Sequence, residues 1–312
     1  MTSAHKYPPL VLTAFCLLLF PISAPAQVAE KTTQEQVVAL NVIVMDEYGH
    51  PVNDVRSEEF RVTEDGVPQM ISFVSKEEYP LSYGLIVDCS SSLRGRLAEV
   101  IEAGKTIINS NKPGDETFLI RFISNDKIVK VRDFTSGQSR LLSDLDNFYV
   151  EGGQTAIIDA VYTSVDYLTK YGREEKGYHH SALILITDGV ELSSQHTRAE
   201  LAKRLHKEDV QIFVIGLVKD TTERERKKAV DLLNFLAQET GGRAYYPNSP
   251  QELRGISQAI TREIRTQYLI GYSPKGGVQY NTFHRVQVTV AETPGKKRTA
   301  ITRVGYVATA GP

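Results

Sequence analysis

Residues 83–96 read "YGLIVDCSSSLRGR". An apolar run without alternation ends in Asp88, and three serines follow within four residues. A run of that kind is expected of a strand buried on both faces of a sheet. The serines are ambiguous, since a hydroxyl after a strand caps a helix, attacks as a nucleophile or coordinates a hard cation. The stretch alone leaves all three uses open.

Working outward, short β-branched runs alternate with helical stretches from 83 to about 265. The strand candidates are "YGLIVD", "ETFLIRF", "KIVKVRD", "SALILITD", "VQIFVIGL" and a weaker "RAYYP". Helical patterns fall at 97–110, 156–170, 198–207, 223–239 and 251–265. Such alternation predicts an α/β fold, a doubly wound, mostly parallel, Rossmann-like sheet covered by helices on both faces.

The flanks have β character. At the front, "VVALNVIVMD" reads as a strand, "EYGHPV" as a turn, and "EFRVTEDGVPQMISFVSK" as two strands around an Asp65-Gly66 turn. After 266, "TQYLIGYS", "HRVQVTVAE" and "RTAITRVGYVA" read as strands. Residues 37–78 carry nine acidic and three basic side chains, net −6, whereas 267–312 carry six basic and one acidic, net +5. Opposite charge suggests that the two ends pair into one small β-sandwich interrupted by the α/β region. The division that follows is 37–78 and 267–312 for the sandwich, with 79–266 between them.

The first 26 residues differ in kind. Lys6 precedes an apolar stretch at 10–22, and a small-residue "APA" ends at Ala26. This reads as a secretory signal peptide cleaved after Ala26, followed by a flexible lead at 27–36. The apolar stretch is short of the roughly 20 residues a membrane span needs. The mature chain is therefore expected to be secreted or periplasmic, with no membrane span. Cleavage would leave Cys89 as its one cysteine, so no intramolecular disulfide is expected. At 312 residues, 41% hydrophobic, 24% charged and net −2, the chain has the composition of a globular protein and lacks a nucleic-acid footprint. The sequence leaves the oligomeric state open.

In an open parallel sheet, ligands bind where the carboxyl ends of the strands meet loops and helix N-termini. Three segments bring oxygen donors to such places: Asp88, Ser90 and Ser92 after one strand, Thr155 after "EGGQ", and Asp188 at the end of "ALILITD". Two carboxylates and three hydroxyls suit Mg²⁺ or Mn²⁺ better than zinc, which prefers nitrogen and sulfur. Two carboxylates only just neutralise a divalent ion and hydroxyls donate weakly, so the cation stays electrophilic. It would favour a further carboxylate from outside the domain.

"DCSSS", the threonine of "GGQT" and the aspartate of "ITDG" together resemble the metal-ion-dependent adhesion site of von Willebrand factor type A domains. The resemblance covers residues 83–265, and the first piece follows the family pattern Asp-x-Ser-x-Ser. It implies that Ser90 and Ser92 bind the metal directly. Thr155 would do so in the ligand-competent state, and Asp88 and Asp188 would act through water or by hydrogen-bonding the ligands. It implies a divalent cation, Mg²⁺ first and Mn²⁺ or Ca²⁺ as alternatives, and a protein partner offering an Asp or Glu. The flanking "DEYGHPV", "EEFRVTEDGVPQ" and "YLIGYSP" are similar to a bacterial subgroup of secreted proteins with this domain.

The remaining features have plainer readings. Thr155 also fits an N-cap, and Asp188-Gly189 also fits a turn. Asp159, Glu191 and the pair His179-His180 read as solvent-facing, and Cys89 as a small buried residue. The chain has no G-x-S-x-G elbow, H-E-x-x-H or phosphate-binding loop. No catalytic residue and no organic cofactor site is expected. The sequence therefore predicts a metal-dependent, adhesion-type binding module and not an enzyme. The alternatives are a metal-dependent hydrolase and a scaffold whose metal only stabilises it.

Overall fold

The computed structural model describes residues 37–76, 78–174, 180–277, 279–291 and 297–309. The signal peptide, the lead at 27–36 and His179 fall outside these residues. In chain order, the first strands are β1 (Val38–Asp46), β2 (Phe60–Glu64), β3 (Val67–Gln69) and β4 (Ile71–Ser75). The α/β region begins with β5 (Leu81–Asp88), α1 (Leu97–Ile108), β6 (Glu116–Phe122), β7 (Ile128–Thr135), α2 (Gln138–Asp146) and α3 (Ile157–Glu174). It continues through β8 (His180–Thr187), α4 (Arg198–Leu205), β9 (Gln211–Gly216), α5 (Glu223–Thr240), β10 (Ala244–Tyr245) and α6 (Pro250–Arg265). The last strands are β11 (Tyr268–Tyr272), β12 (Phe283–Val290), β13 (Arg298–Ile301) and β14 (Gly305–Val307).

The runs without alternation lie at the centre of the sheet. Its order is β10-β9-β8-β5-β6-β7, with every pair parallel except β6 and the edge strand β7. All eight residues of β5 are buried. Helices α1, α2 and α6 cover one face through Val100, Ile107, Leu141, Leu145, Ile260 and Ile264. Helices α3, α4 and α5 cover the other through Val161, Val165, Leu201, Leu233 and Leu236. From β5 the chain winds outward to β6 on one side and, by way of β8, to β9 on the other. Winding therefore reverses between β5 and β8, and the carboxyl ends of those two strands border the crevice where such sheets bind ligands.

Local chemistry sets the helix ends. Thr197 and Thr222 start α4 and α5 with capping boxes closed by Glu200 and Glu225. Ser249 caps α6, whose first residue is Pro250.

The two flanks pair with each other. One sheet runs β13-β1-β11-β4 and the other β14-β12-β2-β3, both antiparallel. Leu40 and Val42 of β1, Phe60 and Val62 of β2, Tyr268 and Ile270 of β11, and Val286 and Val288 of β12 share one core between the sheets. Strand β1 is buried on both sides, because Ile43 and Met45 point instead into the core beneath α6. The sandwich is thus packed against the α/β region and does not hang from it.

The structure corrects five details of the sequence reading. The run after Asp65-Gly66 is two strands, β3 and β4, which belong to different sheets; "RTAITRVGYVA" likewise splits into β13 and β14. Each run crosses from one layer of the sandwich to the other, which uninterrupted β character hides. Helix α2 has no counterpart in the predicted helices. His180, expected at the surface, is 2% exposed. Asp159 is buried as well.

His180 opens β8 with its ring 5.6 Å from that of Tyr79, and burial pushes its pKa down to about 4. The unfolded imidazole titrates near 6.5, so between these values the unfolded chain binds a proton that the folded chain refuses. Its contribution to stability is complete above pH 6.5 and falls towards pH 4, by on the order of 1 kcal/mol per pH unit. His180→Phe is expected to flatten that fall in urea unfolding. Equal slopes for the two proteins would contradict the assignment.

Among the described residues, no helix is long and apolar enough to cross a membrane.

Candidate metal centre

Three loops meet above the switch point. The first carries Asp88, Ser90 and Ser92, the second Thr155, and the third Asp188. Backbone hydrogen bonds stitch them together: Glu151 N–H donates to the Cys89 carbonyl at 3.1 Å, and Leu192 and Ser193 N–H both donate to the Thr155 carbonyl, at 2.9 and 3.2 Å. Asp88, Ser90, Thr155 and Asp188 are buried, and Ser92 is exposed at the mouth.

Asp88 is fully employed. Its Oδ1 accepts the Ser90 N–H at 2.9 Å and its Oδ2 the Thr187 hydroxyl at 2.6 Å. Thr187 in turn accepts the Gly189 N–H at 3.0 Å, which ties the first loop to the third. Sequence reasoning missed Thr187; its position next to Asp188 at the end of a central strand was the available signal. Burial first, and then the nearby Asp188 carboxylate, push the Asp88 carboxyl up to about 7. Asp188 Oδ1 accepts the Val190 N–H at 3.2 Å. Among the described residues, no lysine or arginine forms an ion pair with either carboxylate. Buried carboxylates without a counter-ion are costly, and a divalent cation would relieve the cost.

The hydroxyls are not spent on helix capping. Ser90 stands at the N-cap of a short 3₁₀ turn at Ser91–Leu93, yet its side chain makes no cap hydrogen bond. Its Oγ lies 3.0 Å from Ser92 Oγ instead. Adjacent oxygens of an octahedral Mg²⁺ shell with bonds of 2.0–2.1 Å stand about 3 Å apart. Thr155 is likewise not needed as a cap. The Ile158 N–H donates to Glu191 Oε2 at 3.0 Å and the Asp159 N–H to Ser194 Oγ at 3.1 Å, so the loop after β8 caps α3. Glu191 and Asp159 are thereby explained as loop anchors. Asp159 accepts the Gln195 and His196 N–H groups at 2.7 and 2.9 Å. The donor set, hard oxygens with two carboxylates, fits Mg²⁺ or Mn²⁺.

Cys89 is fully buried, and burial pushes its thiol up to about 12. That is the inert small residue expected from the sequence.

Gly189 holds φ +80°, and a Cβ there would lie 2.7 Å from Ala229 Cβ and 2.9 Å from Leu233 Cδ1. Gly189→Ala is expected to cost about 1–3 kcal/mol and to displace Asp188. Urea unfolding checks this, and a loss below about 0.5 kcal/mol would contradict it. Beside Gly189 a groove of about 510 Å³ runs between Val190, Leu192 and the Arg224, Lys228 and Leu232 side of α5. Leu192 is 61% exposed there.

The model of the von Willebrand factor type A domain matches residues 84–259. Among solved structures, the chain is similar to the conserved hypothetical protein BatB from Bacteroides thetaiotaomicron, at 18% identity over 59% of this chain and 98% of that one, TM-score 0.46. It is similar to an aerotolerance-related membrane protein from Bacteroides fragilis carrying multiple mutations to serines, at 18% identity over 59% and 98%, TM-score 0.48. A von Willebrand factor type A protein from Catenulispora acidiphila matches at 13% identity over 88% of this chain and 75% of that one, TM-score 0.44. No curated protein matches.

Proposed function

The chain belongs to the von Willebrand factor type A domain family, whose members are generally interaction modules, and on that premise we propose that it is a metal-dependent protein-binding module acting outside the cytoplasm. Ser90, Ser92 and Thr155 would hold a divalent cation, Mg²⁺ first, with Asp88 and Asp188 orienting them and supplying charge. When bound, the cation supplies a Lewis-acidic coordination position that an Asp or Glu of the partner completes. The observation that carries this reading is the use of the hydroxyls: Ser90 occupies a cap position without capping and turns its Oγ to Ser92.

The chain's own residues do the rest. Asp88 accepts hydrogen bonds from the Ser90 N–H and the Thr187 hydroxyl, which holds both loops at the switch point. Glu191 and Asp159 pin the third loop to α3. The groove beside Gly189 offers a partner apolar contact at Leu192, with Arg224 and Lys228 set among Glu191, Glu225 and Asp231. A hydrolytic reading would need Asp88 or Asp188 as its base; both Asp88 oxygens accept hydrogen bonds, and Asp188 Oδ1 accepts the Val190 N–H. Export is supported by Lys6, the apolar stretch at 10–22 and the "APA" ending at Ala26.

The test is capture of proteins from the extracellular and periplasmic fractions by immobilised chain, in Mg²⁺, in chelator, and with Ser90→Ala/Ser92→Ala in Mg²⁺. A partner retained only by the parent in Mg²⁺, and released by excess free acidic peptide, is expected. Equal retention in all three arms, or none in any, would contradict the reading. A melting temperature raised by Mg²⁺ with no metal-dependent partner would instead favour a scaffold.

A further inference from the structure

The Asp65-Gly66 turn and the start of β12 meet in a second cluster, at the sandwich and independent of the strand-end site. Glu64 ends β2 and His284 is the second residue of β12; both are buried, while Asp65 between the strands is half-exposed. His284 Nε2 lies 3.0 Å from the Gln279 carbonyl oxygen. A carbonyl only accepts, so Nε2 carries a proton and Nδ1 is turned the other way. There it faces Asp65 Oδ2 at 3.0 Å and Glu64 Oε1 at 3.6 Å.

The remaining atoms of the two carboxylates are already engaged. Glu64 Oε2 accepts the Tyr272 hydroxyl at 2.6 Å and the Tyr306 hydroxyl at 2.9 Å. Asp65 Oδ1 accepts the Arg285 N–H at 2.9 Å. Each of the three side chains is thus held by an outside contact and left with one donor atom, and the three leftover atoms lie within 4.8 Å of one another. An imidazole nitrogen facing two carboxylates needs positive charge between them, which a proton or a metal ion supplies. Around a tetrahedral ion with ligand bonds of about 2.0–2.1 Å, neighbouring ligands stand about 3.3 Å apart; the two separations from His284 Nδ1 bracket that value, and the two carboxylate oxygens lie within 4.8 Å of each other.

We propose that Glu64 Oε1, Asp65 Oδ2 and His284 Nδ1 form a second metal site, for a zinc-class divalent ion, with its fourth position open to solvent beside Asp65. One imidazole and two carboxylates make a three-ligand set within the range zinc uses. The Gln279, Tyr272, Tyr306 and Arg285 contacts are the outer bonds that orient metal ligands. Two carboxylates and a neutral imidazole balance a divalent charge. Such an ion would clip the β2–β3 turn to β12, joining the N-terminal and C-terminal flanks of the chain.

The experiment titrates ZnCl₂ by calorimetry into the purified Ser90→Ala/Ser92→Ala chain, in which the strand-end site has lost two of its hydroxyls, with CoCl₂ as an optical probe of geometry. One equivalent of Zn²⁺ is expected, together with the intense visible absorption of four-coordinate Co²⁺ and a raised melting temperature. Asp65→Asn, at an exposed position, and His284→Gln are each expected to weaken Zn²⁺ binding at least about tenfold. Unchanged affinity in Asp65→Asn, or no binding up to about 1 mM Zn²⁺, would mean that the cluster holds a proton only and would overturn the proposal.

Discussion

Replacing both Ser90 and Ser92 with alanine is expected to weaken Mg²⁺ binding by at least about 100-fold in calorimetry, while the metal-free protein unfolds within a few degrees of the parent. The first effect follows from the proposed coordination, in which this variant loses two of the three oxygens that would bind the ion directly. The second follows from what the hydroxyls do not do. Ser90 makes no cap hydrogen bond, Ser92 is exposed, and the double variant removes both ends of their mutual contact, so no helix cap is opened. A structural serine behaves otherwise, since losing a capping hydroxyl costs about 1 kcal/mol of stability. Equal Mg²⁺ affinity in parent and variant would remove the metal from these residues altogether. A large loss of metal-free stability would return the serines to a capping role.

The largest effect on folding is expected at Arg265, the last residue of α6. Its guanidinium pairs with Asp115, with Nη1 3.3 Å from Oδ1 and Nη2 in closer contact with Oδ2. Asp115 is 1% exposed and also accepts the Leu81 N–H at 3.0 Å and the Lys112 N–H at 2.7 Å. This one carboxylate therefore holds the start of β5, the turn before β6 and the end of α6 together. Arg265→Ala leaves a buried carboxylate without its partner, which costs about 3–5 kcal/mol. Arg265→Met with Asp115→Asn removes the stranded charge and is expected to recover part of the loss. Urea unfolding of the three proteins decides it; a single-variant loss below about 1 kcal/mol would show that the pair carries little.

The centre of the fold was legible because burial on both faces leaves a plain mark. "GLIV" and "ALILI" have no room for alternation, and their positions next to Asp88 and Asp188 placed both carboxylates at strand ends. The starts of α4 and α5 were read at Arg198 and Glu223, where the structure has them, each after a threonine that closes a capping box with a glutamate. What escaped depends on partners far away in the chain. Helix α2 is nine residues long, and only Leu141 and Leu145 are buried in it, too few to build a period. The breaks between β3 and β4 and between β13 and β14 are changes of sheet, set by which strand lies alongside.

Buried polar residues were the hardest to foresee. Asp159 looks solvent-facing one turn into a helix, yet it is paired with the backbone of Gln195 and His196 more than 30 residues away. Glu191 looks like a spare carboxylate but caps α3. Glu64 and His284 stand 220 positions apart and meet only because β2 pairs with β12. The candidate metal residues stood out in the sequence because Asp88 closes β5, Ser90 and Ser92 follow it, Asp188 follows β8, and Thr155 stands just before α3. Thr187 was overlooked because it closes such a strand without a charge.

The most direct test is a crystal of the protein soaked in Mn²⁺, with diffraction recorded at the manganese absorption edge. An anomalous peak at bonding distance, about 2.2 Å, from Ser90 Oγ, Ser92 Oγ and Thr155 Oγ1, with Asp88 and Asp188 in its outer shell, is expected. A fully soaked crystal without a peak there, or with its only peak elsewhere, would contradict the metal-dependent account.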